Sequence, residues 1–153
     1  MRTIGNIIWF ILGGFAVGLL WWLVGLICFV SVVGIPWGRA CFVTGNLSFA
    51  PFGRDAIARD DLTHKEDIGT GFLGGLGNVI WFIFAGWWLA LLHVALALGF
   101  FVSLIGIPFA IQHLKLAGLS LAPVGKTIVS VEMADEARRH TARKDLEKIR
   151  EEA

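Results

Sequence analysis

Two stretches without a charged side chain constrain this sequence more than anything else in it. From Thr3 to Gly38, and again from Ile68 to Gln112, there is no Asp, Glu, Lys or Arg. A helix needs about 20 mostly apolar residues to cross a bilayer, and both stretches exceed that. A water-soluble fold would have to cover such runs on every side. Too little polar chain remains to do so, because 56% of the residues are hydrophobic and only 16% are charged. Lipid is therefore the expected solvent. The first run continues from Met1-Arg2-Thr3 through Trp21, Trp22 and Phe29. A secretory signal has a shorter apolar core and a small-residue cleavage site, so the run reads as a retained anchor.

The second constraint is internal repetition. Displaced by 72 positions, the sequence overlays itself without a gap: Gly5-Asn6-Ile7-Ile8-Trp9-Phe10 meets Gly77-Asn78-Val79-Ile80-Trp81-Phe82. In the same register Ser31 meets Ser103, Gly34-Ile35-Pro36 meets Gly106-Ile107-Pro108, and Gly53-Arg54 meets Gly125-Lys126. Ordered blocks that include Asn, Trp and Pro mark a duplication. The expected organisation is a membrane repeat over residues 1–54, a polar linker over 55–76, a second membrane repeat over 77–126 and a cytoplasmic tail over 127–153.

Each repeat opens with a long apolar helix, roughly Ile4–Val33 and Val79–Ile105. Thirty helical residues reach about 45 Å, more than the roughly 30 Å hydrocarbon core. Such a helix must tilt, kink or fold into a hairpin near Trp21-Trp22 and His93. Gly34-Ile35-Pro36 and Gly106-Ile107-Pro108 are expected to break it, since proline lacks an amide hydrogen. The following segments, Trp37–Ala50 and Phe109–Ala122, are too short and polar for a lipid-exposed crossing and read as interfacial or re-entrant helices. The basic residues Arg39, Arg54, Lys115 and Lys126 suit headgroup depth. Thr127–Val131 is β-branched and alternating, a strand candidate. Met133–Glu152 reads as a solvated helix with Asp135/Arg139 and Arg143/Glu147 at i,i+4. The fold class is thus an all-α integral membrane protein of two tandem repeats with a small strand-and-helix tail. Lys and Arg near the apolar runs place both termini in the cytoplasm. The matching Pro-x-Gly-Arg and Pro-x-Gly-Lys turns favour parallel repeats with the linker inside as well.

Candidate functional residues are few. Gly14, Gly18 and Gly25 share one helical face, and their repeat mates are Gly86, Ala90 and Ala97, so a close helix–helix seam is expected. Asn6, Asn78, Ser31 and Ser103 are repeat-matched polar residues that could line a polar path or cap and tie helices. His93 is the one titratable side chain deep in the apolar runs, and its repeat mate Trp21 argues for an interface position. The tryptophan clusters suit membrane interfaces. Cys28 and Cys41 have no disulfide or metal spacing, and His64, His93, His113 and His140 have no ligand spacing. There is no phosphate-binding loop, nucleophile elbow or zinc-protease motif, and no basic cluster for nucleic acid. No catalytic residue, metal or cofactor is expected.

Several of these segments together resemble one family. Met1-Arg2-Thr3 followed by Asn6, then Ala85-Gly86-Trp87-Trp88 and Ser103-Leu104-Ile105-Gly106-Ile107-Pro108, are similar to the YccF family of duplicated bacterial inner-membrane proteins. Ala122-Pro123-Val124-Gly125-Lys126 and Val129-Ser130-Val131-Glu132 extend the resemblance over nearly the whole chain. The resemblance implies an inner-membrane location and brings no catalytic or binding residues with it. The functional expectation is an oligomeric pore or channel component for ions or small solutes. The alternative is a non-transporting accessory or scaffold subunit docking a membrane or cytoplasmic protein.

Overall fold

The computed structural model describes residues 2–152. Helix α1 (Arg2–Val30) and its repeat mate α4 (Phe72–Phe101) are 29 and 30 residues long, and only 22% of the most apolar window of each is buried inside the protein. Each carries one π-helical turn, Phe10–Gly14 in α1 and Phe82–Gly86 in α4. Such turns mark a bend in an otherwise α-helical run. In α1 the bend is sharpened by Gly13, whose φ of 144° is open to glycine alone. The expected kink is therefore present in α1. Trp21-Trp22 and His93 lie inside unbroken helix, so no hairpin turn falls there.

The reversal comes later. α1 ends at Val30, and α2 (Ile35–Phe49) runs back along it; α4 and α5 (Ile107–Leu121) do the same. The proline is not the terminator expected. Pro36 sits in the first turn of α2, where a missing N–H costs nothing, and α1 has already stopped through a turn in which Val32 takes φ 58°. The serines close these turns. Ser31 Oγ accepts from the Gly34 amide at 3.0 Å and donates to the Cys28 carbonyl at 2.7 Å. Ser103 Oγ accepts from the Gly106 amide at 3.0 Å.

Glycine sets the closeness of the first hairpin. A Cβ on Gly18 would lie 2.5 Å from the Phe49 ring, and one on Gly25 would lie 3.0 Å from the Phe42 ring and 3.1 Å from the Gly38 carbonyl. α2 and α5 are consequently buried on most sides, through Ala40, Cys41 and Leu47 in one and Ala110, Leu116 and Ala117 in the other.

The stretch 55–76 is more than a linker. It holds β1 (Arg54–Ala58, begun one residue earlier), the short helix α3 (Arg59–Thr63) and the start of α4. β1 pairs antiparallel with β2 (Lys126–Ser130), with Ala56 opposite Ile128 at the centre. Ala56 and Ile128 are repeat mates, so a pseudo-two-fold axis passes through the ladder. The helices obey the same axis. Trp37, near the start of α2, donates to the Gly77 carbonyl near the start of the other repeat at 3.0 Å. Phe109, near the start of α5, packs on Phe52 and Trp9 at the base of the first repeat. Each hairpin therefore points its tip toward the other's base. α6 (Val131–Glu152) covers the ladder, burying Ala134 and Ala137 against Ile57. It pairs Arg138 with Asp55 at 2.8 Å and with Asp135 at 3.6 Å, not Asp135 with Arg139.

Candidate functional site

The polar residues of the hairpins are the natural place to look for chemistry, and the structure ties them to the backbone. Asn6 donates to the Phe52 carbonyl at 3.1 Å and accepts from the Phe52 amide at 2.9 Å. Asn78 repeats this on Val124, at 3.0 and 2.9 Å. An asparagine amide offers one donor and one acceptor side by side, so each pair closes like one rung of a β-ladder. The asparagines thereby clip the start of each long helix to the segment that leaves its hairpin.

The tryptophans make a second matched tie that the sequence reading missed. Trp9 Nε1 donates to the Ser48 carbonyl at 2.6 Å, and Trp81 Nε1 donates to the Ser120 carbonyl at 2.8 Å. Both indoles are buried, at 3% and 7% exposure, so they are not interface anchors. A visible signal existed: Trp and Ser recur at the same separation in both repeats, Trp9 with Ser48 and Trp81 with Ser120. Ser48 and Ser120 hydroxyls turn back to Thr44 and Leu116 carbonyls in their own helices. Trp22, Trp87 and Trp88 do face outward.

The two base tryptophans also join the repeats. Trp81 stacks on Trp21 at 5.9 Å beside Cys41, in the first hairpin. Trp9 approaches His113 at 4.8 Å, in the second. His113 is the repeat mate of Cys41, and His93 that of Trp21. His93 is therefore not at an exposed interface. It is 3% exposed, with Nδ1 3.1 Å from Nδ1 of His113. One imidazole donates to the other there, which satisfies one nitrogen of each ring without a charge.

The remaining sequence candidates are scattered. Gly14 packs on its own Trp9, Gly86 lies against the Ser120 carbonyl, and Ala90 and Ala97 are buried. Lys115 reaches the Pro51 and Arg54 carbonyls at 3.3 and 2.6 Å. Arg54 is exposed at the edge of β1. Arg39 and Lys126, from different repeats, line one cavity with Arg59. No group of three or more His, Cys, Asp or Glu able to hold a metal occurs among the described residues.

Outside the hairpins two ion pairs stand out. Arg59 grips Asp67 with two hydrogen bonds, 2.6 and 2.7 Å. That guanidinium, with the Gly69 and Thr70 amides, holds the Asp67 carboxyl well below the usual carboxylate range. Arg2 bonds Glu132 at 2.5 Å across the start of α1 and α6.

These features define a small helical membrane protein built from two copies of one hairpin unit around a two-strand ladder. The chain belongs to the YccF family: the family model described as an inner membrane component domain matches it twice, over residues 4–54 and 76–126. It is 42% identical over 150 residues to the inner membrane protein YccF of Escherichia coli (strain K12), covering 96% of this chain and 100% of that protein. The same figures hold for the Shigella flexneri protein of that name. These relatives are named for their place in the inner membrane and not for an enzymatic reaction, and this chain is an inner-membrane protein of the same kind. No solved structure matches it.

Proposed function

We propose that the protein is a non-transporting membrane scaffold, embedded from the cytoplasmic side by its two hairpins and presenting the ladder, α3 and α6 as a platform for a partner protein. The observation that carries this reading is the fate of the polar side chains. Asn6, Asn78, Ser31, Ser103, Trp9 and Trp81 are each bonded to the chain's own backbone. The outward residues of α1 and α4 are apolar, among them Leu12, Phe15, Ile27, Ile83, Phe84 and Leu98. A water-filled path needs polar groups free to face it, and beyond Arg2 and Thr3 at the start of α1 these helices carry no exposed polar side chain among the described residues.

The two-fold axis bears on topology. Charged residues gather on the side of the ladder that α3 and α6 cover, so that side meets water and the axis follows the membrane normal. Both hairpin bases, both termini and the segment between repeats then share the cytoplasmic side. Because each tip points toward the other's base, the hairpins lie steeply inclined. Their tips expose Val30, Val32 and Val33 at 78, 69 and 79%, and Val102, Leu104 and Ile105 at 90, 86 and 83%, with no charge. Apolar tips of this kind end in hydrocarbon. Backbone is tolerated there because Ser31 and Ser103 satisfy the turn amides.

The expected pore is the competing outcome, and one experiment separates the two. Purified protein in proteoliposomes is assayed for ion and small-solute flux, alongside the Ser31→Ala/Ser103→Ala variant. The scaffold reading expects flux no higher than in empty vesicles. A leak specific to the protein and altered by the double substitution overturns it in favour of an oligomeric pore.

A further inference from the structure

A cavity of about 690 Å³ lies where α2 passes the base of the second repeat. Its walls are apolar: Phe29, Ile35, Phe42 and Val43 from the first repeat and Leu73 from α4. Three cations from three elements also line it, Arg39 of α2, Arg59 of α3 and Lys126 of β2. Arg59 is neutralised by Asp67. Arg39 and Lys126 form no ion pair among the described residues. Two uncompensated positive charges thus border an apolar slot. The slot is continuous with the outward apolar surface, since Ile35 is 41% and Leu73 61% exposed.

We propose that this cavity binds one anionic glycerophospholipid, with its phosphate between Arg39 and Lys126 and an acyl chain along Phe29, Ile35 and Leu73. A guanidinium presents two parallel N–H groups to phosphate oxygens, and a lysine ammonium adds a point charge. A free anion would use the cations but leave the slot empty. A neutral lipid would use the slot but leave two charges uncompensated. Only an amphiphile with an anionic head matches both. The repeat supplies an internal comparison. Lys126 has a basic repeat mate, Arg54, but where Arg39 stands in the first repeat the second has Ile111. The symmetry-related position therefore keeps only one of the two cations, and one site per chain is expected. The inference requires membrane residence alone and stands whether the protein scaffolds or conducts.

Native mass spectrometry of the full chain in non-ionic detergent tests this. The protein is mixed with equal amounts of dioleoyl phosphatidylglycerol and dioleoyl phosphatidylcholine. The wild type is expected to retain one phosphatidylglycerol with at least ~5-fold preference, weakening as salt is raised. Arg39→Gln/Lys126→Gln should lose the preference, and Val43→Trp, which fills the slot and keeps the charges, should lose the adduct. Arg150→Gln, in the charged tail, should change nothing. Equal retention of the two lipids, or an unchanged preference in the double variant, overturns the proposal. Displacement of the lipid by inorganic phosphate at equal concentration also overturns it, in favour of a plain anion site. If the double variant does not fold, Arg39→Gln alone decides the matter, because that side chain is exposed and unpaired.

Discussion

Replacing Asn78 by alanine should unfold this protein at a markedly lower temperature without touching any outward surface. The side chain makes two hydrogen bonds, at 3.0 and 2.9 Å, to the carbonyl and amide of Val124, which is 5% exposed. Losing a hydrogen bond costs about 0.5–1.5 kcal/mol, and a buried group left without a partner costs about 1–3 kcal/mol. Interhelical bonds in membrane bundles average about 0.6 kcal/mol, which sets the lower bound. For two bonds on one buried residue the expected loss is about 2–4 kcal/mol. At roughly 2–4 °C per kcal/mol for a chain of this size, the melting temperature should fall by roughly 4–16 °C. The assay is loss of helical circular dichroism, or of a monodisperse elution peak, on heating in non-ionic detergent. Asn46→Ala is the control, because Asn46 is exposed on α2, and it should shift the midpoint by no more than about 1–2 °C. Asn6→Ala should match Asn78→Ala, and the pair should add, since Phe52 and Val124 are separate partners. A fall of under about 2 °C for Asn78→Ala would refute the reasoning, because the amide would then be free to serve another purpose.

Other consequences can be measured in the same way. Gly18→Leu should cost more stability than Gly99→Leu, since a Cβ at Gly18 meets the Phe49 ring at 2.5 Å and one at Gly99 meets nothing within 4 Å; comparable melting temperatures would remove the glycine-set hairpin spacing. The Asp67 carboxyl is depressed by Arg59, so its contribution is present above the ordinary carboxylate pKa and is lost as pH falls through the lower folded value. The stability difference between wild type and Arg59→Gln should therefore narrow as pH drops from 6 toward 3, and a difference that widens would contradict the pairing. Cysteines placed at Val32 and Leu104 should resist a membrane-impermeant maleimide applied from either side of the inner membrane, whereas labelling from the periplasm would mean that the hairpins cross.

Much of this architecture is legible in the residues, and the losses have physical causes. The apolar runs mark the long helices because nothing else in the sequence is so free of charge. The repeat marks their equivalence because Asn, Trp and Pro recur in one register. β2 was visible in Thr127-Ile128-Val129, whose side chains are β-branched. β1 was not, because Arg54-Asp55-Ala56-Ile57-Ala58 has strand character only once a partner strand arrives from the other repeat. Applied to β2, the repeat register alone points to β1. The buried tryptophans were misread because an indole prefers membrane interfaces and also serves as a buried donor, and composition does not choose between them. Ser31 and Ser103 stand out in the sequence as repeat-matched serines three residues before Gly34 and Gly106, whose amides they meet in the structure. Which acceptors and donors they meet depended on a turn whose shape the sequence does not encode locally. The cavity shared by Arg39 and Lys126 was invisible for a similar reason, since it forms only where two repeats meet.

The ladder carries a last consequence. Its two strands are repeat mates, crossing at Ala56 and Ile128, so neither half of the chain can satisfy its own strand edge. A half-length polypeptide would find the missing neighbour in a second copy of itself and close the same two-strand arrangement as a symmetric dimer. The present chain has the form of that dimer after fusion. Co-expression of residues 2–66 and 67–152 as separate polypeptides should accordingly rebuild the intact particle, while either fragment alone should pair with its own kind or aggregate through the exposed edge.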